Sequence, residues 1–320
     1  MVLVVVTVTL NAALDRTLTV PNFQLGHRHR ASQGLTLAGG KGINVARALK
    51  RLDVPVVATG LAGGRTGTRI VEELTTEAIL NDFVRIGDES RTSTAVVDPT
   101  TATYTEINEW GPHVEREELA MLLEKINYLA RGADMVVFAG TLPRGVNDSF
   151  YAEAIRELSR RSVRAVLDSE GPPLRLGVEA EVFLVTPNQR EAEGLVGQEL
   201  GDDEDYVMAL DRIADMGARN VLITSELRSF ALFRHDRKRQ LFRAEAPQVE
   251  PVSAVGSGDV LLAGFIAASA AGRSDEESLA AAVGAGAAST LELGAGRFEP
   301  RDAGRLTKKV TVRALEPVAS

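Results

Sequence analysis

The segment Val255-Gly256-Ser257-Gly258-Asp259 runs straight into the apolar stretch Val260 to Ala271, which has the composition of a buried helix. Small residues ahead of a helix N-terminus let several backbone N–H groups converge on one anion, and the helix dipole adds to the attraction. Asp259 falls in the first turn, beside that hole. A carboxylate next to a phosphate site is electrostatically unhelpful unless it takes the proton of an attacking hydroxyl, so the spacing points to phosphoryl transfer onto an alcohol. A Gly-rich turn capped by Asp is the plainer alternative.

Gly39-Gly40-Lys41-Gly42-Ile43-Asn44 opens a second helix that runs to Leu52. It is not a P-loop, because that template needs Gly where Leu35 stands and Ser or Thr where Gly42 stands. A backbone that approaches a ligand closely, with Lys41 and Asn44 as donors, suits a polyol or sugar phosphate; a tight turn with a solvated Lys is the alternative. Asn188-Gln189-Arg190-Glu191 follows Pro187 at the end of a β-branched run. An amide and a carboxylate at that spacing can hold the water shell of Mg²⁺, which takes few protein ligands, or can equally cap a helix reciprocally.

These residues need a frame. Short β-branched runs (Val2 to Thr9, Val56 to Leu61, Met135 to Gly140, Val163 to Leu167, Val182 to Thr186 and Asn220 to Thr224) alternate with helical stretches. The helical stretches are Gly42 to Leu52, Gly67 to Ile79, Arg116 to Ala130, Asp148 to Arg161 and Glu204 to Met216, followed by two Ala-rich helices from about Asp259 and about Glu276. Such alternation predicts an α/β fold built on a mostly parallel sheet. In the first helix Val45, Ala48, Leu49 and Leu52 recur at helical spacing, so one face is buried. Two segments break the rhythm: Leu14 to Val20 with Arg28 to Leu37, and Thr92 to Val97 with Thr103 to Asn108, alternate polar and apolar residues as half-exposed strands do. Inserted at about 14–37 and 90–112 into a single domain spanning 1–320, they predict a small sheet over the strand ends, where α/β proteins bind ligands.

Composition removes other classes. With 44 acidic against 36 basic residues the net charge is −8, which argues against a nucleic-acid binder. The absence of Cys excludes thiolate metal sites, disulfides and cysteine nucleophiles, and the four His form no H-E-x-x-H pattern. Met1 to Leu10 lacks a basic flank and reads as a buried strand rather than a signal peptide. The apolar run Val260 to Gly272 falls short of the roughly 18 residues a membrane helix needs. A soluble cytoplasmic protein is expected, with no membrane partner.

Taken in order, the groupings resemble the ribokinase-like (PfkB) carbohydrate kinases, in particular their phosphosugar branch. That branch contains 1-phosphofructokinase, tagatose-6-phosphate kinase and the minor 6-phosphofructokinase. Thr9 to Asp15, Gly39 to Ala46, Gly60 to Gly67, Thr105 to Glu109, Gly140 to Pro143, Asn188 to Glu191 and Gly256 to Asp259 carry the resemblance across nearly the whole chain. It implies a three-layer α/β/α sandwich with a β-sheet lid, and ATP and Mg²⁺ as reaction partners of a sugar phosphate. Asp259 matches the catalytic base, and the backbone of Val255, Gly256, Ser257 and Gly258 matches the anion hole. Asn188 and Glu191 match the residues that govern Mg²⁺, through water. Asp15, Gly40, Asn44 and Thr141 match substrate contacts. Arg28, Lys41 and Arg91 match cations for the substrate's own phosphate, with Arg30 a neighbour able to share the role and Lys41 able to serve the transferred group instead.

The chain departs from the family pattern twice. Val252-Ser253-Ala254-Val255 stands where Asp or Asn and Thr are usual, a change that a hole made of backbone tolerates. After the strand ending at Thr224, Glu226 and Ser229 replace glycines of a turn near the nucleotide phosphates. Thr224, Ser225, Glu226, Gly256 and Gly258 are the expected nucleotide contacts, so Glu226 must swing outward, toward Arg228, or weaken ATP binding. The second outcome would leave a sugar-phosphate binder with impaired ATP use. A Rossmann dehydrogenase fails, since Gly60 to Gly67 lacks G-x-G-x-x-G. The Thr105 to Glu109 stretch and the opening motif lean toward fructose 1-phosphate as acceptor, with tagatose 6-phosphate and fructose 6-phosphate as alternatives. Half-exposed lid strands need burial, which predicts a homodimer through the lid.

Overall fold

The computed structural model of the chain describes residues 3–101, 103–235 and 238–316. In chain order the strands are β1 (Val5–Thr9), β2 (Ala13–Thr19), β3 (Gln33–Gly39), β4 (Val56–Gly63), β5 (Leu80–Ile86), β6 (Arg91–Asp98) and β7 (Thr103–Asn108). They continue with β8 (Met135–Ala139), β9 (Arg164–Asp168), β10 (Leu184–Val185), β11 (Asn220–Thr224), β12 (Arg228–His235), β13 (Lys238–Glu245) and β14 (Thr311–Leu315). The helices are α1 (Lys41–Arg51), α2 (Gly64–Thr76), α3 (Arg116–Leu129), α4 (Phe150–Arg160) and α5 (Gly171–Val178). After them come α6 (Gln189–Val196), α7 (Asp203–Met216), α8 (Ser257–Ala270), α9 (Asp275–Ser289) and α10 (Pro300–Thr307).

Alternation along the central strands sets the layers. Val5 of β1, Val137 of β8, Val166 of β9 and Leu222 of β11 join one core with α1, α2, α8, α9 and α10. Their neighbours Val6, Val136, Leu167 and Ile223 face the opposite way, into a second core with α3 to α7. Strands buried on both faces this way are what a parallel sheet between two helical layers requires. The main sheet has the order β14-β13-β12-β11-β10-β9-β8-β1-β4-β5. It is parallel from β11 to β5, while β12, β13 and β14 add to it antiparallel. Because the chain leaves β1 first toward β4 and later returns to β8 on its other side, a crevice opens at the C-terminal ends of these strands.

The expected α/β/α sandwich is present, with additions at its ends. β5, β12, β13 and β14 escape the sequence pattern because charged residues such as Arg85, Arg234, Arg239 and Arg313 interrupt their apolar alternation. The eight-residue helices α5, α6 and α10 are too short for a helical period to register.

A second, four-stranded sheet of order β3-β2-β6-β7 forms from the two interrupting segments. Only the run from Arg28 is misread: β3 begins at Gln33. The Asp98 carboxylate accepts the Asn22 and Phe23 amides at 3.0 and 2.9 Å, and Gln24 and His29 bond each other across a turn. These local bonds satisfy the backbone that a ladder would otherwise use.

Candidate active site

The site grows from strand ends. Thr9 ends β1, Asp168 ends β9 and Thr224 ends β11, while Gly140 follows β8 and Thr186 follows β10. The N-termini of α1 and α8 close the floor, and β2, β6 and β7 of the small sheet stand above it. The open cleft between them has a volume of about 320 Å³ and is lined by Asp15, Gly40, Lys41, Asn44, Arg91, Thr141, Asn188, Glu191 and the whole Val255 to Asp259 segment. A second cleft of about 820 Å³ adjoins it, sharing Thr224, Ala254, Ser257 and Gly258, and is lined also by Ser225 and Glu226. Its far wall is apolar, with Val249, Leu261, Val283 and Ala287. The α8 N-terminus therefore sits where a polar cleft and a partly apolar one meet.

Gly256 precedes α8 with φ 77°, a left-handed conformation, and a side chain there would strike Ala295. The structure divides the anticipated anion hole. Val255 N–H reaches Ser253 Oγ at 3.3 Å and Ser257 N–H the Ala254 carbonyl at 3.2 Å. Gly256 and Gly258 donate to no acceptor among the described residues, so their amides are the ones available to an anion.

Asp259 is only 5% exposed, and Asn44 Nδ2 donates to its Oδ2 at 2.9 Å. Burial pushes its pKa up to about 7, reinforced by the Asp168 charge and opposed by Lys41 and the Asn44 hydrogen bond. Burial likewise pushes Asp15 up to about 6 against the pull of Arg91 and Arg47, with Glu106 adding to the rise. The Asp15 carboxylate packs so closely on Gly39 that a side chain there would overlap it. Buried polar atoms of Thr9, Asn11, Arg91 and Thr186 lack partners among the described residues, and all four residues line the polar cleft. Orphaned groups at such a density mark a place where a polar ligand supplies the missing bonds.

Lys41 bridges two carboxylates: Nζ lies 2.6 Å from Asp168 Oδ1 and 3.8 Å from Glu191 Oε1. Burial works against its charge, but Asp168, Glu191 and Asp259 together hold it protonated. Asn188 and Glu191 form the reciprocal helix cap: Glu191 N–H donates to Asn188 Oδ1 at 2.9 Å and Asn188 N–H to Glu191 Oε2 at 2.8 Å. The capping alternative is thus real, yet both residues also face the cleft. Burial raises the Glu191 pKa, with Lys41 opposing. Thr141 accepts from Asn11 Nδ2 at 2.9 Å, and Arg91 Nη1 donates to Asn108 Oδ1 at 3.2 Å.

Two expected residues sit apart from the contacts foreseen for them. Arg28 is exposed on the connection between β2 and β3 and lines neither cleft, and Arg30 shares that position. Glu226 does point outward as an exposed residue, but not to Arg228, whose guanidinium is 3.3 Å from Asp203 instead. Asp168, Ser93, Glu106 and Asn108 were missed as site residues. Asp168 was legible as an acidic residue closing a parallel strand, and Glu106 and Asn108 share one face of β7 by the period of two.

The pfkB family carbohydrate kinase model matches residues 3–302. Among curated proteins, 1-phosphofructokinase of Borreliella burgdorferi is 31% identical over 286 residues, 89% of this chain and 91% of that protein. Tagatose-6-phosphate kinase of Staphylococcus epidermidis is 29% identical over 310 residues, 96% of this chain and 99% of that protein. The crystal structure of a possible 1-phosphofructokinase from Thermotoga maritima superposes with a TM-score of 0.89 at 27% identity, covering 98% of this chain and 100% of that one. Whole-chain agreement of sequence and fold means that this chain belongs to the pfkB family of carbohydrate kinases, phosphotransferases that act on a sugar hydroxyl.

Proposed function

We propose that the chain is an ATP-dependent phosphosugar kinase whose acceptor is fructose 1-phosphate. The observation that carries the reading is the position of Asp259, a buried carboxylate with a raised pKa at a helix N-terminus where two clefts meet. A base poised near neutrality beside free amides is what proton removal from an attacking hydroxyl requires. The sugar occupies the polar cleft, with Asp15, Asn44, Gly40 and Thr141 against its hydroxyls. The adenosine of ATP occupies the adjoining cleft, between Thr224-Ser225 and the Val249, Leu261 and Val283 wall. Asp259 accepts the hydroxyl proton as the oxygen attacks the terminal phosphorus in line, and the Gly256 and Gly258 amides hold the charge on the transferred group.

Lys41 is committed to Asp168 and Glu191, so it serves the transferred group, and Arg91 with its unpartnered Nε is left for the sugar's own phosphate. For Mg²⁺, no three acidic or His side chains cluster as direct ligands among the described residues. Glu191 Oε1, outside the helix cap but 3.8 Å from Lys41 Nζ, would reach such an ion through the ion's own waters rather than directly, with Asn188 beside it. When bound, the ion neutralises charge across the ATP phosphates. Closure of the small sheet over the sugar excludes water as a competing acceptor.

The outer strand β7 is exposed along its length, and Ile107 on it and Trp110 just after it are 61% and 87% exposed, which supports a homodimer formed through this sheet. Sedimentation should give twice the chain mass, and a monomer would remove that part of the reading. The central test is ADP release with fructose 1-phosphate, fructose 6-phosphate, tagatose 6-phosphate and free fructose. Preference for fructose 1-phosphate supports the reading, preference for another sugar phosphate reassigns the acceptor, and tight binding without turnover would make the chain a binder.

A further inference from the structure

Arg47 is a charged residue with no place in the chemistry above, yet it is 2% exposed in the core side of α1. Every one of its five N–H donors is used. Nε and Nη2 grip Glu77 at 2.6 and 2.8 Å, Nη2 also reaches the Ala38 carbonyl at 2.7 Å, and Nη1 reaches the Ala295 carbonyl at 3.2 Å and Asn44 Oδ1 at 3.3 Å. Each neutral partner borders the site. Ala38 lies next to Gly39 against Asp15, Ala295 packs on Gly256, and Asn44 donates to Asp259.

We propose that Arg47, aimed by Glu77, is a positioning residue that fixes the amide orientation of Asn44 and thereby keeps a hydrogen-bond donor, never an acceptor, against Asp259. An amide has two faces of similar shape. With its oxygen held by Arg47, Asn44 can only offer N–H to the Asp259 carboxylate, which favours the ionised form. Were the amide to flip, its oxygen would accept from the protonated acid and stabilise a form unable to take a proton. The other charges facing Asp259 are Lys41 from α1, Asp168 from β9 and Asp15 from β2, and Arg47 touches none of them directly. Its hydrogen-bonded route to Asp259 thus runs through Asn44, while its charge also acts on Asp15 across the cleft.

The inference rests on Asp259 as the base, and the test separates the two. Arg47→Met, an uncharged stem of similar length, and Arg47→Lys, which keeps the charge toward Glu77 but not the fork, are compared by kcat/KM across pH 5 to 9. The acid limb should move to higher pH by about half a unit or more in both, with most activity recovered at pH 9. KM for ATP should stay within about twofold, since the fork lies on the sugar side. Combined with Asn44→Ala, the shift on removing Arg47 should vanish. If Arg47→Met does not fold, Arg47→Lys alone decides. A uniform loss at every pH, or a shift that persists without Asn44, overturns the proposal. Near-normal kcat in Asp259→Asn would instead remove the base assignment beneath it.

Discussion

Lys41 Nζ sits 2.6 Å from Asp168 Oδ1, so the cation that favours the Asp259 carboxylate is held by a carboxylate that repels it. The pair acts on the base with opposite signs. Replacing Asp168 by Asn removes the repulsion and frees Lys41, and both changes favour the Asp259 carboxylate. The acid limb of kcat/KM should therefore move to lower pH by about half a unit to one unit, measured as a pH–rate profile. An unmoved or alkaline-shifted limb would mean that Asp168 does not act on the base.

Asp259→Asn should lower kcat by roughly 10²- to 10⁴-fold while calorimetry shows sugar-phosphate affinity nearly unchanged, because proton transfer is lost and the pocket is kept. Retained turnover would show that another group takes the proton.

The same residue makes a stability prediction of definite sign. Its folded pKa is raised from the ordinary 3.8 to about 7, so between those values the folded chain keeps a proton that the unfolded chain has released. Stability of the ligand-free protein thus falls as pH rises through that window, and Asp15, raised to about 6, contributes in the same direction. Asp259→Asn should remove most of this slope, raising the unfolding midpoint at pH 8 relative to the parent and leaving it nearly level at pH 4. Parallel midpoints for the two proteins at both pH values would contradict the buried, raised carboxylate.

Arg91→Ala should abolish the preference for phosphorylated over plain sugars with a smaller effect on kcat for the plain sugar. A double hydrogen bond to phosphate is its distinctive capacity, and Arg91→Lys should restore only part of the preference. An unchanged ratio of kcat/KM values for fructose 1-phosphate and fructose would move the phosphate site elsewhere in the cleft.

What was legible in the sequence follows from where the signal resides. Val5 to Thr9 or Met135 to Ala139 announce themselves because strands buried on both faces need unbroken β-branched or apolar runs. Gly256-Ser257-Gly258-Asp259 is legible because backbone chemistry constrains side chains at consecutive positions. Arg28 was misplaced because the turn that removes it from a strand is made by Asp98, a residue 70 positions away. The Arg47 to Asn44 contact was equally hidden: nothing in a helix sequence tells that an Arg in the first turns is buried until α2 brings Glu77 across to it.

Glu226 is the remaining departure, and its exposure sets the scale of its effect. The residue is exposed at the second cleft, proposed above for the nucleotide, and is not paired with Arg228. A full charge about 4 Å from a phosphate in water contributes on the order of 1 kcal/mol, and salt at about 0.15 M screens beyond roughly 8 Å. Glu226→Gly should accordingly tighten ATP by no more than about fivefold at low ionic strength, with the gain fading as salt is raised. ATP titration by calorimetry at two salt concentrations reads this directly. A tightening of about a hundredfold that survives high salt would require Glu226 to turn inward against the phosphates, a geometry opposed by its solvent exposure.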